Sequence, residues 1–118
     1  MDNSIDNLEN VMSKRWELFK KIHKTFLSFA DDVNFRIFPI YIVYSMGDRV
    51  FSVIYYKGKL IDQGYNNLIV SLALSATPKL KLFIKAAEIK YLGINYYINL
   101  KFTDKFDNKL ISVIKKLL

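Results

Sequence analysis

The sequence lacks several of the residue types on which active sites depend. It contains no cysteine, only four glycines and two prolines, and a single histidine, His23. The absence of cysteine excludes disulfides, thiolate metal sites and thiol redox chemistry. The chain also has no glycine-rich phosphate loop and no pair of carboxylates at catalytic spacing. One histidine without a positioned nucleophile or metal is typical of a packing residue. We therefore predict that the protein is not an enzyme, has no catalytic or metal-binding residues and needs no cofactor.

Long hydrophobic runs are absent too. No apolar stretch reaches the roughly 18 residues that a membrane-spanning helix requires, although hydrophobic residues make up 52% of the 118. This fraction predicts a folded chain, and its length is typical of one domain, residues 1–118. The first ten residues, MDNSIDNLEN, are polar and acidic, unlike a secretory signal. We expect a single cytoplasmic domain without a membrane span.

Charge is unevenly distributed along the chain. Through Tyr56, seven basic residues balance seven acidic ones, whereas from Lys57 onward eleven lysines accompany only four acids. The whole net charge of +7 therefore lies in the second half. A basic surface attracts nucleic acid, anionic lipid or acidic protein. The competing explanation is a genome rich in A+T, whose codons favour Lys, Asn, Ile and Tyr.

Two amphipathic helices are predicted near the ends of the chain. Asp6 followed by Glu9 indicates an N-cap, and a first helix is expected from about Asn7 to Ala30. Its apolar stripe contains Leu8, Met12, Phe19, Ile22, Phe26 and Phe29. Thr103 or Asp104 is expected to cap a final helix. The buried stripe of that helix is predicted to contain Phe106, Leu110, Val113, Ile114 and Leu117.

Strand signals fill the middle of the chain. NFRIFPIYIVYSMGDRVFSVIYYKGK contains two β-branched and aromatic runs around a Met-Gly-Asp turn, which predicts a β-hairpin. Pro39 confines the segment before it to an edge or a strand start, because proline cannot donate to a ladder. LIVSLAL is apolar on both alternating faces, which predicts a strand covered on both sides. INYYINLKF has a period of two and is the clearest strand, with one face formed by Ile94, Tyr96, Ile98, Leu100 and Phe102.

The segment between these last two strands admits two interpretations. Thr77 before Pro78 is typical of a helix start, and Gly93 is typical of a left-handed C-cap. A short amphipathic helix over residues 78–92 is therefore predicted, with an apolar stripe of Leu80, Phe83, Ile84, Ala87 and Tyr91. Such a helix would present a basic ridge of Lys79, Lys81, Lys85 and Lys90. The alternative is a strand, because KLKLFIK also alternates with a period of two.

Together these elements predict an α+β fold. The order is helix, three strands, short helix, strand, helix. Such segregation favours an antiparallel sheet of about four strands with two long helices on one face and a short extra helix before the last strand.

Four stretches of the chain resemble a known family. They are WELFKKIHKTFLSFADDV, YIVYSMGDRVFSVIYYKG, LIVSLAL and INYYINLKFTDKFDNKLISVIKKLL. Over about residues 12–118 the chain is similar to the small α+β domain of unknown function family fifty-six fifty-five. The resemblance implies a domain that is often appended to the C-terminus of larger prokaryotic proteins, some with predicted nuclease domains. It implies no catalytic residues, and this chain departs from the family by the insertion KLIDQGY and the basic segment around residues 79–92.

Candidate metal and nuclease residues have simpler explanations. Asp31 with Asp32, and Asp104 with Asp107, are oxygen ligands of the kind that Mg²⁺ or Ca²⁺ prefers, but helix capping accounts for both pairs. The letters Glu-Ile-Lys at residues 88–90 match part of a restriction-type nuclease motif. No strand acid precedes them at suitable spacing, so we interpret the match as accidental.

Aromatic and basic residues predict a binding surface. Tyr41, Tyr55, Tyr97 and Tyr65 are expected on the sheet face opposite the helices, together with nearby basic side chains that can hold phosphates while the rings stack on bases. The leading hypothesis is a non-enzymatic accessory or binding domain for nucleic acid or an acidic protein. The predicted partner-binding residues are Arg49, Tyr55, Lys57, Lys79, Lys81, Lys85, Lys90, Tyr97 and Lys101.

Tyrosine also suits protein interfaces, because its ring is apolar and its hydroxyl is polar. The alternative hypothesis is therefore a protein-interaction or homodimerisation domain with no nucleic-acid role. In that case we expect Tyr55, Tyr97 and the predicted helix around Phe83 to bury against a second copy or a fused neighbour.

Overall fold

One antiparallel sheet organises the chain, with helices on one side and irregular segments on the other. The computed structural model describes residues 5–87, 89, 91 and 93–118. The helices are α1 (Glu9–Met12), α2 (Trp16–Leu27) and α3 (Asn108–Leu117), with 3₁₀ turns at Ile5–Leu8 and Ser13–Arg15. The strands are β1 (Val33–Ile37), β2 (Tyr41–Met46), β3 (Arg49–Tyr55), β4 (Asn67–Leu72), β5 (Ile84–Lys85) and β6 (Tyr96–Lys101).

The sheet has the strand order β1-β2-β3-β4-β6-β5, and every neighbouring pair is antiparallel. The predicted α+β class with an antiparallel sheet is confirmed. The prediction of about four strands is wrong, because six are present in the described residues. The two additional strands, β1 and β5, lie at the edges of the sheet. Residues of β1 alternate only between half-buried and exposed, and β5 contains two residues, too few to show a period.

The predicted hairpin is confirmed as β2 and β3. Gly47, with φ of 57°, takes the first central position of the two-residue turn, where a type II′ hairpin requires a positive φ. Pro39 lies between β1 and β2, which agrees with the expectation that the segment before it is an edge strand. A bulge at Phe51 shifts the register, since Ser45 opposes Val50 while Tyr44 opposes Ser52.

The N-terminal helix is interrupted, whereas the sequence predicts one helix from about Asn7 to Ala30. Ser13 has φ of 52° and ψ of −122°, a conformation outside the helical regions that ends α1 before the chain resumes as α2. The interruption comes two residues before Arg15, whose side chain is fully buried at the ends of β3 and β4. α2 then ends at Leu27. The N-cap role predicted for Asp6 stays a prediction.

The final helix begins later than predicted. α3 starts at Asn108, and its N-cap is Asp107, whose Oδ1 accepts a hydrogen bond of 3.0 Å from the Leu110 amide. Thr103 is therefore not the cap. Asp104 accepts instead from the Lys101 amide and closes a turn after β6. The fold accordingly has an interrupted N-terminal helix and a short C-terminal helix of 10 residues, not two long helices.

Both faces of the sheet are covered. We call the side of the sheet that α2 and α3 cover the helix face; its core includes Phe19, Phe26, Leu68, Ile98 and Ile114. We call the other side the loop face; its core contains Val43, Val53, Ile69, Ile89, Ile94 and Tyr97. The side chains that cover the loop face are those of Leu60 and Ile61 from the loop 57–66 and, farther along the chain, Ala86, Ile89, Tyr91 and Ile94. This double cover explains why every residue of β4 is buried, as predicted for LIVSLAL.

The predicted helix over residues 78–92 is wrong for the described part of that segment. Only Ile84 and Lys85 have regular structure there, as strand β5 paired with Tyr97 and Tyr96. Glu88, Lys90 and Leu92 lie outside the described residues. The physical reason is that the apolar residues are divided between two cores: Leu80 and Phe83 pack into the helix face, and Ala86 and Ile89 into the loop face. The segment wraps around the sheet edge, which one helical stripe cannot do.

Candidate functional site

A groove lined by three lysines lies where the segment before β5 meets the start of α3. Lys81 comes from that segment, and Lys105 and Lys109 come from the residues that surround the α3 cap. The other lining residues are Leu80, Leu82, Asp107 and Leu110. We call this feature the lysine groove; its cavity volume is about 260 Å³. It joins one predicted binding residue, Lys81, to two that the sequence analysis did not select.

The local structure of α3 explains the position of the groove. Asp107 leaves the helical conformation, with ψ of 173°, and turns the chain so that Lys105 and Lys109 lie on either side of it. Leu110 is buried below, in the core of the helix face. Leu80 packs against the same core, which holds the segment containing Lys81 beside the helix. Burial of two leucines from distant parts of the chain therefore brings the lysines together.

The charge of the groove is positive. Three ammonium groups face one carboxylate, and that carboxylate is already engaged as the cap of α3. The N-terminal end of a helix adds a partial positive charge of its macrodipole. Lys81, Lys105 and Lys109 are all exposed to solvent. The arrangement can therefore attract an anionic group without desolvating a lysine beforehand.

A second groove adjoins the first and shares Lys105 and Asp107 with it. Lys21 and Lys105 face Glu17, Asp104 and Asp107 there, so carboxylates outnumber lysines by one in its lining. Its lining also includes Phe102, which is 39% exposed and lies 5.2 Å below the Lys14 ammonium. An exposed aromatic ring thus lies next to the positive groove.

The tyrosines predicted to form an open face do not form one. Tyr41, Tyr55 and Tyr97 do lie on the loop face, but Tyr97 is only 8% exposed and belongs to the core there. Tyr41 packs its ring 5.2 Å from that of Tyr55 and 6.1 Å from that of Tyr91. Because the rings contact one another and the covering segments, they offer no open stack for successive bases. Tyr65 lies elsewhere, with its ring 5.7 Å from the Arg15 guanidinium carbon.

A partly enclosed cavity remains beside Tyr55. Its volume is about 190 Å³, and it is lined by Ile40, Tyr55, Lys57, Gly58, Lys59, Leu60 and Ile89. We call it the Tyr55 cavity. Burial, and to a lesser extent the neighbouring Tyr41 and Tyr91, raise the pKa of the Tyr55 hydroxyl, which keeps it protonated at neutral pH. Two predicted binding residues, Tyr55 and Lys57, therefore share one site, which the sequence did not indicate.

The other predicted binding residues are dispersed. Arg49 donates from Nη2 to the Ala73 carbonyl at 3.4 Å. Lys85 lines a shallow groove together with Thr77, Asn95 and Tyr96. Lys79 and Lys101 are exposed and line none of the grooves described above. Lys90 lies outside the described residues, as does the Glu-Ile-Lys match except for Ile89.

His23 lies inside the helix face. It is 5% exposed, its Nδ1 lies 2.7 Å from the Tyr44 hydroxyl in a hydrogen bond, and its ring meets Phe35 edge-on at 4.8 Å. Burial lowers the pKa of His23 to about 4, so the imidazole is neutral at physiological pH. These contacts are those of a packing residue. The described residues also contain no group of three or more His, Asp or Glu side chains that could hold a metal ion.

Arg15 is a buried cation that the sequence analysis missed. Its guanidinium donates to four carbonyl oxygens, of Val11, Met12, Tyr56 and Asn67, at 2.9 to 3.3 Å. These bonds tie the N-terminal helical segment to the ends of β3 and β4. Burial lowers the pKa of Arg15, and the nearby Asp62 carboxylate partly offsets that effect. Its role is structural, since every partner is a main-chain oxygen.

Comparisons of the chain with protein-family models, curated proteins and solved structures yield no match. The resemblance to domain of unknown function family fifty-six fifty-five therefore stays a prediction. In the described part of the chain, no helix has the length and apolar character needed to cross a membrane.

Proposed function

We propose that this domain is a non-enzymatic binding module that holds a nucleic-acid backbone in the lysine groove. The observation that carries the proposal is the convergence of Lys81, Lys105 and Lys109 from two distant segments onto one groove. Phosphates bind such clusters mainly by releasing condensed counterions, which needs no fixed hydrogen-bond geometry. The mode of binding is therefore electrostatic and largely independent of sequence.

The exposed ring of Phe102 favours binding of single-stranded over duplex nucleic acid. This ring lies in the groove that shares Lys105 with the lysine groove. A base that leaves the backbone held by the lysines can stack on this ring, and one such stack contributes about 1–3 kcal/mol. Duplex bases are already stacked and gain nothing from Phe102. The tyrosines of the loop face take no part, because the rings are engaged with one another and with the covering segments.

The test compares two triple variants with the same loss of charge. K81Q/K105Q/K109Q removes the groove lysines, whereas K24Q/K57Q/K59Q removes exposed lysines that do not line it. Affinity for labelled single-stranded and duplex DNA is measured between about 50 and 200 mM salt. We expect the salt slope of the groove variant to fall by about two to three phosphate contacts, while the control variant keeps most of the wild-type slope.

Two outcomes contradict the proposal. One is the absence of salt-sensitive binding by the wild-type protein at micromolar concentration. The other is an equal loss of slope in both triple variants, because net charge rather than the groove would then govern binding. Phe102→Ala adds an independent arm: it should weaken binding of single strands and leave duplex binding unchanged.

A second candidate function, protein interaction, is favoured by the edge strand β5. Ile84 is 43% exposed and the neighbouring Leu82 is 42% exposed, beside a strand edge that is unpaired among the described residues. Such an edge is a template for pairing with another chain. Phe83 and Tyr97, which the sequence led us to expect at such an interface, are buried and do not contribute to it. Sedimentation at several protein concentrations tests this candidate function. A wild-type protein that is monomeric at every concentration, and that sediments like the Ile84→Lys variant, would exclude the homodimer.

A further inference from the structure

The Tyr55 cavity has the dimensions of a site for one small ring. Its walls include the apolar side chains Ile40, Leu60 and Ile89, and its volume is about 190 Å³. Apolar cavities of about 150 Å³ bind benzene, whereas drug-sized ligands need about 300 Å³ or more. A single six-membered ring with one small substituent therefore fits, and larger ligands do not.

The polar groups of the cavity select for a negative charge. Lys57 and Lys59 lie on either side of Gly58, and neither forms an ion pair with a described carboxylate. Burial, with smaller contributions from Tyr41 and Tyr91, raises the pKa of the Tyr55 hydroxyl, so it stays protonated and can donate a hydrogen bond. Two lysines and one tyrosine in the lining of a mainly apolar cavity complement a carboxylate attached to an apolar body.

Gly58 is part of the cavity lining and lies between the two lysines in sequence. Gly58 has φ of 115°, a conformation that side chains with a Cβ rarely adopt. The Ile40 side chain lies 4.0 Å from where a Cβ at Gly58 would be. A β-carbon there would contact the cavity wall in addition to straining the turn.

We propose that the Tyr55 cavity binds a small aromatic carboxylate of about the size of benzoate. The ring packs against Ile40, Leu60 and Ile89 beside the Tyr55 ring, and the carboxylate accepts from Tyr55 and one or both lysines. The site lies on the loop face, whereas the lysine groove adjoins the helix-face core, so this inference does not depend on the proposed function.

The proposal is tested by titrating the protein with benzoate and following the amide NMR shifts. Benzyl alcohol and benzylamine serve as the matched neutral and cationic probes. Benzoate is expected to bind near millimolar concentration, in keeping with its few heavy atoms, and to shift the amides of Tyr55, Leu60 and Ile89. Benzyl alcohol should bind about tenfold more weakly, since it keeps the ring but loses the charge. Benzylamine should not bind detectably, because the two lysines repel it.

Three variants localise the effect. K57Q/K59Q should weaken benzoate about tenfold and leave benzyl alcohol unchanged. Ile40→Trp, a substitution at an exposed position of the cavity wall, should fill the cavity and abolish binding of both benzoate and benzyl alcohol. An unchanged unfolding midpoint of this variant would show that the fold survives. K81Q/K105Q/K109Q should bind benzoate like the wild type. The inference is overturned if benzoate causes no shifts at the cavity, if benzylamine binds as well, or if K57Q/K59Q binds benzoate unchanged.

Discussion

The helix face and the loop face bury the same sheet by different means. On the helix face, Phe26 contacts the rings of Tyr44, Phe51 and Phe106 at centroid distances of 5.2 to 6.4 Å. The helices above it satisfy their own main-chain groups. The segments over the loop face have no such ladder, so side-chain amides bind their main chain instead. Buried polar side chains therefore satisfy main-chain groups of the loop 57–66, where turns leave amides and carbonyls without a helical partner.

One buried asparagine, Asn67, supplies these bonds to the loop 57–66. Asn67 donates to the Leu60 carbonyl at 3.1 Å and accepts from the Asp62 amide at 2.9 Å. Asn95, which is exposed, exchanges a pair of hydrogen bonds with the main chain of Leu74 just after β4, at 2.8 and 2.9 Å. The loop 57–66 is therefore held by a few polar contacts instead of a helical ladder.

The largest expected effect comes from a matched pair of core deletions. Ile98 and Ile69 lie on adjacent strands and are both fully buried, Ile98 on the helix face and Ile69 on the loop face. We expect Ile98→Ala to lower the free energy of unfolding by about 4 kcal/mol, because the packed helices cannot fill the cavity. Ile69→Ala should cost about 2 kcal/mol, because the covering segments collapse into it.

Denaturant unfolding measures both values. Leu27→Ala, at an exposed position of α2, serves as the control and should change stability by less than about 0.5 kcal/mol. Equal losses at Ile98 and Ile69 would mean that the two covers are equally rigid, and the comparison would fail.

Arg15 connects the N-terminal helical segment to the loop face. Two of its carbonyl partners, those of Tyr56 and Asn67, lie at the two ends of the covering loop 57–66. Arg15→Met keeps much of the side-chain volume but leaves four buried carbonyls without their donor, so we expect a loss of about 3 kcal/mol in unfolding free energy. Arg15→Lys should recover less than half of it, since one ammonium cannot reach all four oxygens. Full recovery by lysine would show that charge alone matters.

A pH effect is expected on the helix face. The pKa of His23 is lowered by burial to about 4, below its unfolded value, so the unfolded chain takes up the proton first as pH falls. Stability should be constant above about pH 7 and fall by about 2 kcal/mol by pH 5, with further loss as pH approaches 4. Thermal unfolding between pH 8 and 5 measures the effect. In His23→Gln the dependence over this range should be smaller; an unchanged profile would contradict the assignment.

The regular parts of the fold were predictable because the packing on each face of a helix or strand determines the spacing of its apolar residues. Within β6, Tyr96, Ile98 and Leu100 meet the helix face as expected, whereas Ile94, predicted for the same face, lies in the loop-face core and Phe102 is exposed. LIVSLAL was recognised because apolar residues on both alternating faces require two covers. The described part of segment 78–92 departs from the predicted helix for the opposite reason: Phe83 and Ile89 are buried in different cores, so the apolar spacing reflects the path of the chain around a sheet edge.

The candidate sites were less predictable than the fold. The sequence identified the basic second half, and therefore Lys81, but the proximity of Lys105 and Lys109 depends on where Leu80 and Leu110 pack. The sequence predicts an open tyrosine face because the alternation of β2 and β3 indicates on which side of the sheet a side chain lies. It does not indicate which other segments cover that side. Covering segments without periodicity are invisible to pattern analysis.

The smallest expected effect concerns how α3 is held on the helix face. Asp107 is the N-cap, with Oδ1 accepting from the Leu110 amide at 3.0 Å, whereas the sequence pattern favoured Thr103 or Asp104. Asp107→Ala should lower the free energy of unfolding by about 1 kcal/mol, because a first-turn amide loses its acceptor and the helix loses a favourable charge at its N-terminus. Thr103→Ala, at an exposed position outside the cap, should change it by less than about 0.5 kcal/mol. Denaturant midpoints of the two variants distinguish the assignments, since a larger loss at Thr103 than at Asp107 would place the start of α3 one turn earlier.

Asp107→Asn refines the result: it keeps the cap acceptor and removes the charge, so it should recover most of the loss if the hydrogen bond dominates. Because Asp107 also lines the lysine groove, the same variant should tighten salt-sensitive binding of DNA slightly, whereas Thr103→Ala should not.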